Sequence, residues 1–405
     1  MRRLLKHRDA RIYIVGQIFS MFGDSCLWLA MGIWVKTLTG SNAAAGLTFF
    51  FFTAPSLLAP ASGLLSDRLR RRPLLIATNT LTGGAVLLLL LVHGAGQVWL
   101  VYVVMALYGL SDSVLGSAQS ALLTVIVPAD LLPDANGALR TAQESVRLVG
   151  PLTGAALFVA VGAHTIAIID AITFAVPVAS LLTLRVIEAV PQPMAHHWRT
   201  ELVAGLHHVY RTVQLRQVVI AAALATTVFG FGETISFAIA GNGLQQRSAF
   251  VGVLAAVQGV GAVVGGSTAA PLVRRVGEGR LIGIALCTAA AGALLKIPPS
   301  FATVFAGLVL FGAAIPWLVV ALINVTQRLT PSELQGRAYS ALDTFITVPQ
   351  TISIALGASL IAVTGYRLLL IAMAVVMSSA AAYLLTRPEQ RHSKPVREPT
   401  KTGTA

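Results

Sequence analysis

The chain has 405 residues, of which 56% are hydrophobic and 11% are charged, and its mean hydropathy is +0.78. Since a soluble domain carries about 25% charged residues, this composition excludes an ordinary soluble protein and indicates one that lies in a bilayer. The net charge of +13 does not indicate nucleic-acid binding, because the basic residues form short clusters beside apolar runs and not one basic face.

The chain shows no pattern typical of an enzyme or a metalloprotein. Cys26 and Cys287 both fall inside apolar segments, so the sequence predicts neither a disulfide framework nor a metal site, and no cofactor is expected. The histidines fall in predicted loops and tails, and they form no convergent set within the apolar segments. An enzymatic function is therefore not predicted.

Apolar segments separated by charge clusters and Gly/Pro stretches predict twelve membrane-spanning helices, because one span needs roughly 20 apolar residues. The segments lie at 12–36, 44–66, 74–94, 98–123, 137–162, 165–186, 216–240, 248–272, 281–298, 301–326, 338–362 and 366–386. The predicted fold is an all-α integral membrane protein made of two pseudo-symmetric six-helix bundles. The predicted domains are the bundles at 1–187 and 216–386, a cytoplasmic loop at 188–215 and a disordered basic cytoplasmic tail at 387–405.

Lysine and arginine residues are distributed unevenly between the two sides that these helices define. If the N-terminus is cytoplasmic, 23 basic residues fall on the cytoplasmic side and four fall on the other, namely Lys36, Arg247, Lys296 and Arg367. Since cytoplasmic loops carry the excess of basic residues, both termini are predicted to be cytoplasmic in the plasma (cell inner) membrane. The basic cytoplasmic loops are expected to bind anionic lipid.

The two halves of the chain share residues at a constant shift of 203 positions. The matched pairs include Gly63 with Gly266, Arg71 with Arg274, Gly154 with Gly357 and Gly162 with Gly365. The shift predicts two parallel six-helix repeats, an arrangement in which substrates bind near the membrane midplane between the repeats.

Four stretches resemble the major facilitator superfamily of transporters. "GLLSDRLRRRP" (63–73) is similar to the signature loop between the second and third helices, and "VRLVGPLTG" (146–154) resembles a fifth-helix element of the proton-coupled exporters. "QIFSMFGDSCLWLAMGIWVKTLTGS" (17–41) and "VPADLLPDANGALRTA" (127–142) resemble the branch with macrolide-efflux and enterobactin-export proteins. The resemblance runs from about residue 12 to 387 and implies the major facilitator fold.

The chain departs from the superfamily's pattern at two positions. Arg70 stands where the signature loop has a glycine, a change that a solvated turn tolerates. The fourth helix carries Asp112 and lacks the arginine of many proton-coupled exporters, so the usual proton relay is not assigned to this chain.

Two carboxylates fall in the middle of predicted spans, where an unpaired charge costs several kcal/mol. Asp24 lies in the first span and Glu233 in the seventh, the corresponding helices of the two halves. By the resemblance, both line the central cavity. Each is expected to take up a proton, to bind a cationic or hydrogen-bonding substrate, or to do both in turn; the alternative is a buried acid that only holds helices together.

The fifth helix carries three charged residues on one face, Arg140, Glu144 and Arg147, and their spacing predicts an internal ion ladder. Depth from the helix ends places Arg147 level with Asp112 of the neighbouring helix, so these two residues are predicted to pair. The pair would be either static or a coupling element that changes partners during transport.

Two further aspartates, Asp170 and Asp343, are expected nearer helix ends, where hydration is easy. Both are interpreted as mostly structural.

The loop at 63–73 is a candidate cytoplasmic gate. A carboxylate at Asp67 can accept hydrogen bonds at a helix N-terminus and pair with neighbouring arginines. By the resemblance, Asp67 helps to close the cytoplasmic side. The gate residues are Gly63, Asp67, Arg68, Arg71 and Arg72. The alternative is a loop that only sets topology.

Small residues in the fifth helix predict a bend and close packing. Gly150 and Pro151, together with Gly154, would allow both, since close backbone approach replaces the hydrophobic drive inside a membrane. The resemblance implies an exporter from this element, and a general packing kink is the alternative.

A substrate cavity is predicted from aromatic and amide side chains, which suit bulky, partly apolar molecules. The candidates are Gln17, Phe19, Phe22, Trp28, Phe229, Gln258, Asn324 and Phe345.

The predicted function is that of a secondary active transporter, most simply a monomer, that exports hydrophobic or amphipathic small molecules by alternating access in exchange for protons. One alternative is a dedicated exporter of an endogenous siderophore, lipid or self-made metabolite. A more remote one is a membrane receptor or scaffold.

Overall fold

A computed structural model of the protein describes residues 7–58, 62, 65, 69–128, 131–184, 206–331 and 334–390. The first half of the described chain forms six helices: α1 (Arg8–Thr39), α2 (Asn42–Thr53), α3 (Arg71–Leu87), α4 (Val98–Ile126), α5 (132–161) and α6 (163–183). The second half forms α7 (Val213–Phe229, continued by Phe231–Ala238), α8 (Val251–Val276), α9 (Glu278–Leu295), α10 (Phe301–Leu329), α11 (335–364) and α12 (366–385).

Nine helical runs of the described chain are long and apolar enough to cross a membrane. Two of these runs, Val149–Thr183 and Arg337–Leu385, each contain one glycine with non-helical dihedral angles and therefore hold two helices apiece. The apolar run Asn42–Leu58, which contains α2, is shorter. The described residues include no β-strand, and the predicted all-α fold of twelve helices is confirmed.

The internal repeat is visible in the helix bounds. Helices α4 and α10 begin at residues 98 and 301 and end at residues 126 and 329, so both bounds differ by the 203 positions found in the sequence. Gly162, between α5 and α6, has φ 77° and ψ 171°, and Gly365, between α11 and α12, has φ 72° and ψ 164°. The two halves thus break the chain in the same way at matched positions.

We expect Gly162→Ala to destabilise the protein by about 1–3 kcal/mol, because dihedral angles of this kind are accessible essentially to glycine alone. Gly365→Ala is expected to do the same. The matched control is Gly137→Ala in α5, where an added methyl group would meet open space. Thermal unfolding of the purified proteins in one detergent checks this, and equal stability of the Gly162→Ala and Gly137→Ala proteins would contradict it.

The chain divides into two compact units. The first joins Met1–Trp198, Phe229–Ala256 and Gln350–Leu369, and the second joins Arg199–Val228, Val257–Pro349 and Leu370–Ala405. The core of the first unit includes Leu27, Met31 and Ile166 in one cluster, with Tyr13 and Leu122 in another. The second has a core built around α7, α9, α10 and α12. The predicted domain boundaries at 187, 215 and 386 stay predictions.

Helix α1 lies against α5 and α6 at positions where one partner is a glycine. Gly16 and Gly23 of α1 face Ser180 and Thr173 of α6 so closely that a side chain at either glycine would overlap them. Small residues allow such close approach between membrane helices, where dispersion and hydrogen bonds replace the hydrophobic drive. This packing brings the middle of α1 beside the polar residues of α6.

Candidate functional site

Asp24 lies halfway along α1 and is half-buried. Its Oδ1 atom accepts a short hydrogen bond from the hydroxyl group of Tyr108 in α4. The Tyr108 side chain is 6% exposed, and its ring packs edge-on against Phe174 of α6 with centroids 5.6 Å apart. Tyr108 is not among the site residues predicted from the sequence, although it precedes Asp112 by one helical turn and so shares its face of α4.

Asp170 of α6 lies next to this pair and is 1% exposed. A Cβ atom at Gly23, the residue before Asp24, would lie 2.6 Å from the Asp170 Oδ1 atom. Thr173 donates its hydroxyl to the Asp170 carbonyl oxygen at 2.7 Å and to Oδ1 at 3.3 Å, whereas Oδ2 is buried without a hydrogen-bond partner. The expectation that Asp170 is easily hydrated was wrong, because α1 and α4 cover it. Asp343, in contrast, is exposed.

Asp112 does not pair with Arg147. Asp112 is exposed on α4, and no ion pair joins these two described residues. Arg147 lies within electrostatic reach of Glu233 in α7, which is half-buried. The predicted Asp112–Arg147 pair was wrong because depth along two helices does not fix which way each helix turns its side chains.

The charged residues at the start of α5 form a surface ion pair. Arg140 and Glu144 approach within 3.1 Å, with 64% and 50% of their side chains exposed. The apolar, membrane-length run begins at Val149, after all three charged residues of the predicted ladder. Exposed i,i+4 pairs contribute about 0.3–0.5 kcal/mol, so this one has little effect on stability.

Part of the candidate gate lies outside the described residues, namely Gly63, Asp67 and Arg68. Arg71 and Arg72 occupy the first turn of α3. Arg72 donates from Nε to the Leu181 carbonyl at 2.8 Å and from Nη2 to the Leu182 carbonyl at 3.1 Å. These carbonyl groups belong to the last turn of α6, so Arg72 ties the start of α3 to the end of α6.

The small residues of α5 lie against α1. A side chain at Gly150 would overlap Ser25, and one at Gly154 would overlap the backbone of Cys26. Pro151 lies within the helix, and Gly162 is where the backbone of Leu132–Thr183 leaves helical geometry. The predicted bend at Gly150 and Pro151 stays a prediction.

The residues proposed for a substrate cavity are distributed over both compact units. In the first unit, Gln17 is buried and accepts a hydrogen bond of 2.8 Å from Gln119, and Trp28 packs on Phe49 with ring centroids 4.5 Å apart. Phe19 and Phe22 are exposed, and Phe229 is half-buried. In the second unit, Gln258 and Asn324 are half-buried and Phe345 is exposed.

The acidic residues in the spans lack cationic partners in the described part of the chain. Neither Asp24, Asp170 nor Glu233 forms an ion pair with a described lysine, arginine or histidine. The described His, Cys, Asp and Glu side chains do not assemble in threes as metal ligands. Carboxyls inside spans that form no ion pair are most stable in the protonated form.

A helical membrane protein made of two repeats, with acidic residues inside its spans, has the architecture of a secondary transporter. The model of the Major Facilitator Superfamily matches residues 13–245 and 222–404, so the chain belongs to that superfamily. The resemblance noted in the sequence is thereby confirmed.

The chain is similar in sequence to named relatives, and solved structures share its fold. The chain is 27% identical over 384 residues to multidrug resistance protein MdtG of Enterobacter lignolyticus (strain SCF1), covering 92% of this chain and 88% of the relative. It is 27% identical over 405 residues to the Klebsiella pneumoniae (strain 342) protein of the same name, covering 95% and 94%. The nucleoside transporter NupG superposes with a TM-score of 0.73 at 14% identity, covering 93% of this chain and 99% of that one. A bacterial ferroportin homologue in an inward-facing state gives 0.70 at 15% identity, covering 94% and 99%.

Proposed function

We propose that this protein exports hydrophobic or amphipathic small molecules in exchange for protons by alternating access. The family supports transport as the activity, and the names of the relatives support drug efflux. In proteins with this repeat architecture, two bundles rock about a site near the membrane midplane.

The observation that carries the proposal is the Asp24–Tyr108 hydrogen bond inside two spans. Burial disfavours the charged form of a carboxyl group. A half-buried carboxyl that forms no ion pair therefore takes up a proton when its side of the protein closes and releases it when that side opens to water. Asp24 is therefore the primary proton-coupling residue. Glu233, on which the charge of Arg147 acts, is the second proton-coupling residue. The exposed Asp112 and Glu144 are further candidates for this role.

The basic loops hold the protein in its orientation, with both termini in the cytoplasm and the basic clusters on anionic lipid. The loop around Asp67 closes the cytoplasmic side, and Arg72 supports it through the end of α6. Labelling of single cysteines at the two ends with a membrane-impermeant thiol reagent tests the orientation. Reaction from outside intact cells would contradict it.

The substrate class follows from the aromatic and amide side chains proposed for the cavity. In the first unit, Phe19 and Phe22 offer exposed rings, and Gln17 offers a buried amide group. Bulky molecules with an apolar body and few polar groups match such a lining. The transporter acts as a monomer, which light scattering of the purified protein tests.

Accumulation assays in cells that lack their own efflux systems test the proposed export. Cells that make this protein are expected to retain less of a lipophilic cation dye or of a macrolide than cells with an empty vector, and an uncoupler should abolish the difference. Export of a catecholate siderophore alone would favour a dedicated endogenous substrate. Equal retention of all three compounds would contradict drug efflux.

A further inference from the structure

We propose that Asp170, Tyr108 and Asp24 form a single proton site, in which the buried and the half-buried carboxyl group hold one proton between them. The inference rests on the proposed function, because it assigns the residues that hold the coupled proton. It adds Asp170 and Tyr108, from two other helices, to the carboxyl of α1.

The geometry joins the three groups. The Tyr108 hydroxyl donates to Asp24 Oδ1, and the Tyr108 ring packs edge-on against Phe174, which follows Asp170 by one turn of α6. The close approach of Gly23 to Asp170 Oδ1 fixes that carboxyl beside the backbone of α1. The two acids and the phenol therefore lie where α1, α4 and α6 pack together.

One oxygen atom of the buried Asp170 carboxyl has no hydrogen-bond partner. This atom, Oδ2, is buried, whereas Oδ1 accepts a hydrogen bond from the Thr173 hydroxyl. A buried ionised carboxylate with an unpartnered oxygen and an acidic neighbour is very unfavourable. A proton on the Asp170 carboxyl removes this charge.

The charged and titratable groups around the site are mostly acidic. Helix α4 adds Asp112, which acts on Asp24 and Tyr108, and α1 adds the Cys26 thiol. Helix α2 and the apolar part of α3 bring no titratable group to the site. On α5, the neighbouring Arg147 acts on Glu233 and forms no ion pair with Asp24 or Asp170. Two adjacent acids without a cation share one proton more readily than they ionise together.

Infrared difference spectra between acidic and alkaline buffer test the shared proton without any ligand. In the purified wild-type protein in lipid, we expect that one of the carbonyl bands from titrating carboxyls belongs to the shared proton of this site. Asp24→Asn and Asp170→Asn should each remove this same band, and Tyr108→Phe should shift it, since the ring stays and only the hydroxyl is lost. Asp9→Asn, at the start of α1, is the control that should leave it unchanged. An Asp170→Asn protein with the wild-type band, or separate bands removed by the two variants, would overturn the proposal.

Transport provides the second readout. In liposomes with the lipophilic cation tetraphenylphosphonium as probe, Asp170→Asn is expected to lower gradient-driven transport by about 100-fold, the scale of a lost acid–base group. Exchange of labelled for unlabelled probe at equal pH should continue, because it moves no net proton. Loss of both activities by a protein with a wild-type unfolding temperature would overturn the assignment of Asp170 to the proton site. If the wild type itself moved no probe, the proposed function would fail while the infrared test would still decide the proton site.

Discussion

The Asp24→Asn protein is expected to lose proton-driven transport by about 100-fold or more, on the scale of a removed general acid–base group. The side-chain amide keeps an oxygen that accepts from the Tyr108 hydroxyl, so the α1–α4 contact and the fold should persist. What the amide cannot do is bind and release a proton. Uptake of a lipophilic cation into everted vesicles, driven by an imposed pH gradient, measures the effect.

Asp9→Asn is the matched control for this prediction. Asp9 lies in the first turn of the same helix, outside the middle of the span, and the change removes the same charge. Its transport rate should equal that of the wild type. If the Asp24→Asn protein also transported at the wild-type rate, Asp24 would not be the coupling acid.

Gly109→Ala is expected to destabilise the protein by about 3 kcal/mol, at the upper end of the usual cost of overpacking. A methyl group at Gly109 in α4 would overlap the backbone carbonyl oxygen of Phe52 in α2, and a backbone atom cannot rotate away as a side chain does. The repeat contains the same approach. Gly312, 203 positions later in α10, lies against the carbonyl oxygen of Gln258 in α8, and Gly312→Ala should have a similar effect.

Gly116→Ala provides the comparison for Gly109→Ala within the same helix. A methyl group at Gly116 would meet open space, and alanine favours a helix over glycine by about 0.5–1 kcal/mol. Thermal unfolding in one detergent should therefore rank the Gly116→Ala protein at or above the wild type and Gly109→Ala well below it. Similar unfolding temperatures for the two variants would show that the α2–α4 contact is not tight.

The twelve helices and the repeat were predictable from the sequence for physical reasons. A bilayer fixes the length of an apolar helix, so composition alone defines where spans lie. The break at Gly162 and its copy at Gly365 follow a constant shift because both positions need a backbone that only glycine adopts readily.

The grouping of polar residues inside the bundle was less predictable, because it depends on the rotation and the neighbours of each helix. Position along the chain made Asp170 appear hydrated, yet Gly23 and Tyr108 from other helices cover it. Depth alone suggested that Arg147 meets Asp112, whereas Arg147 acts on Glu233, far away in sequence. A single sequence gives the depth of a residue but not the face that its helix turns to a partner.

Proton release from acid-loaded everted vesicles tests the central claim most directly. A pH-quenched dye inside the vesicles reports the internal proton concentration when a macrolide or a lipophilic cation is added. The account predicts dequenching with the wild-type protein and none with Asp24→Asn. Vesicles that accumulate the added compound without any dequenching would contradict proton exchange.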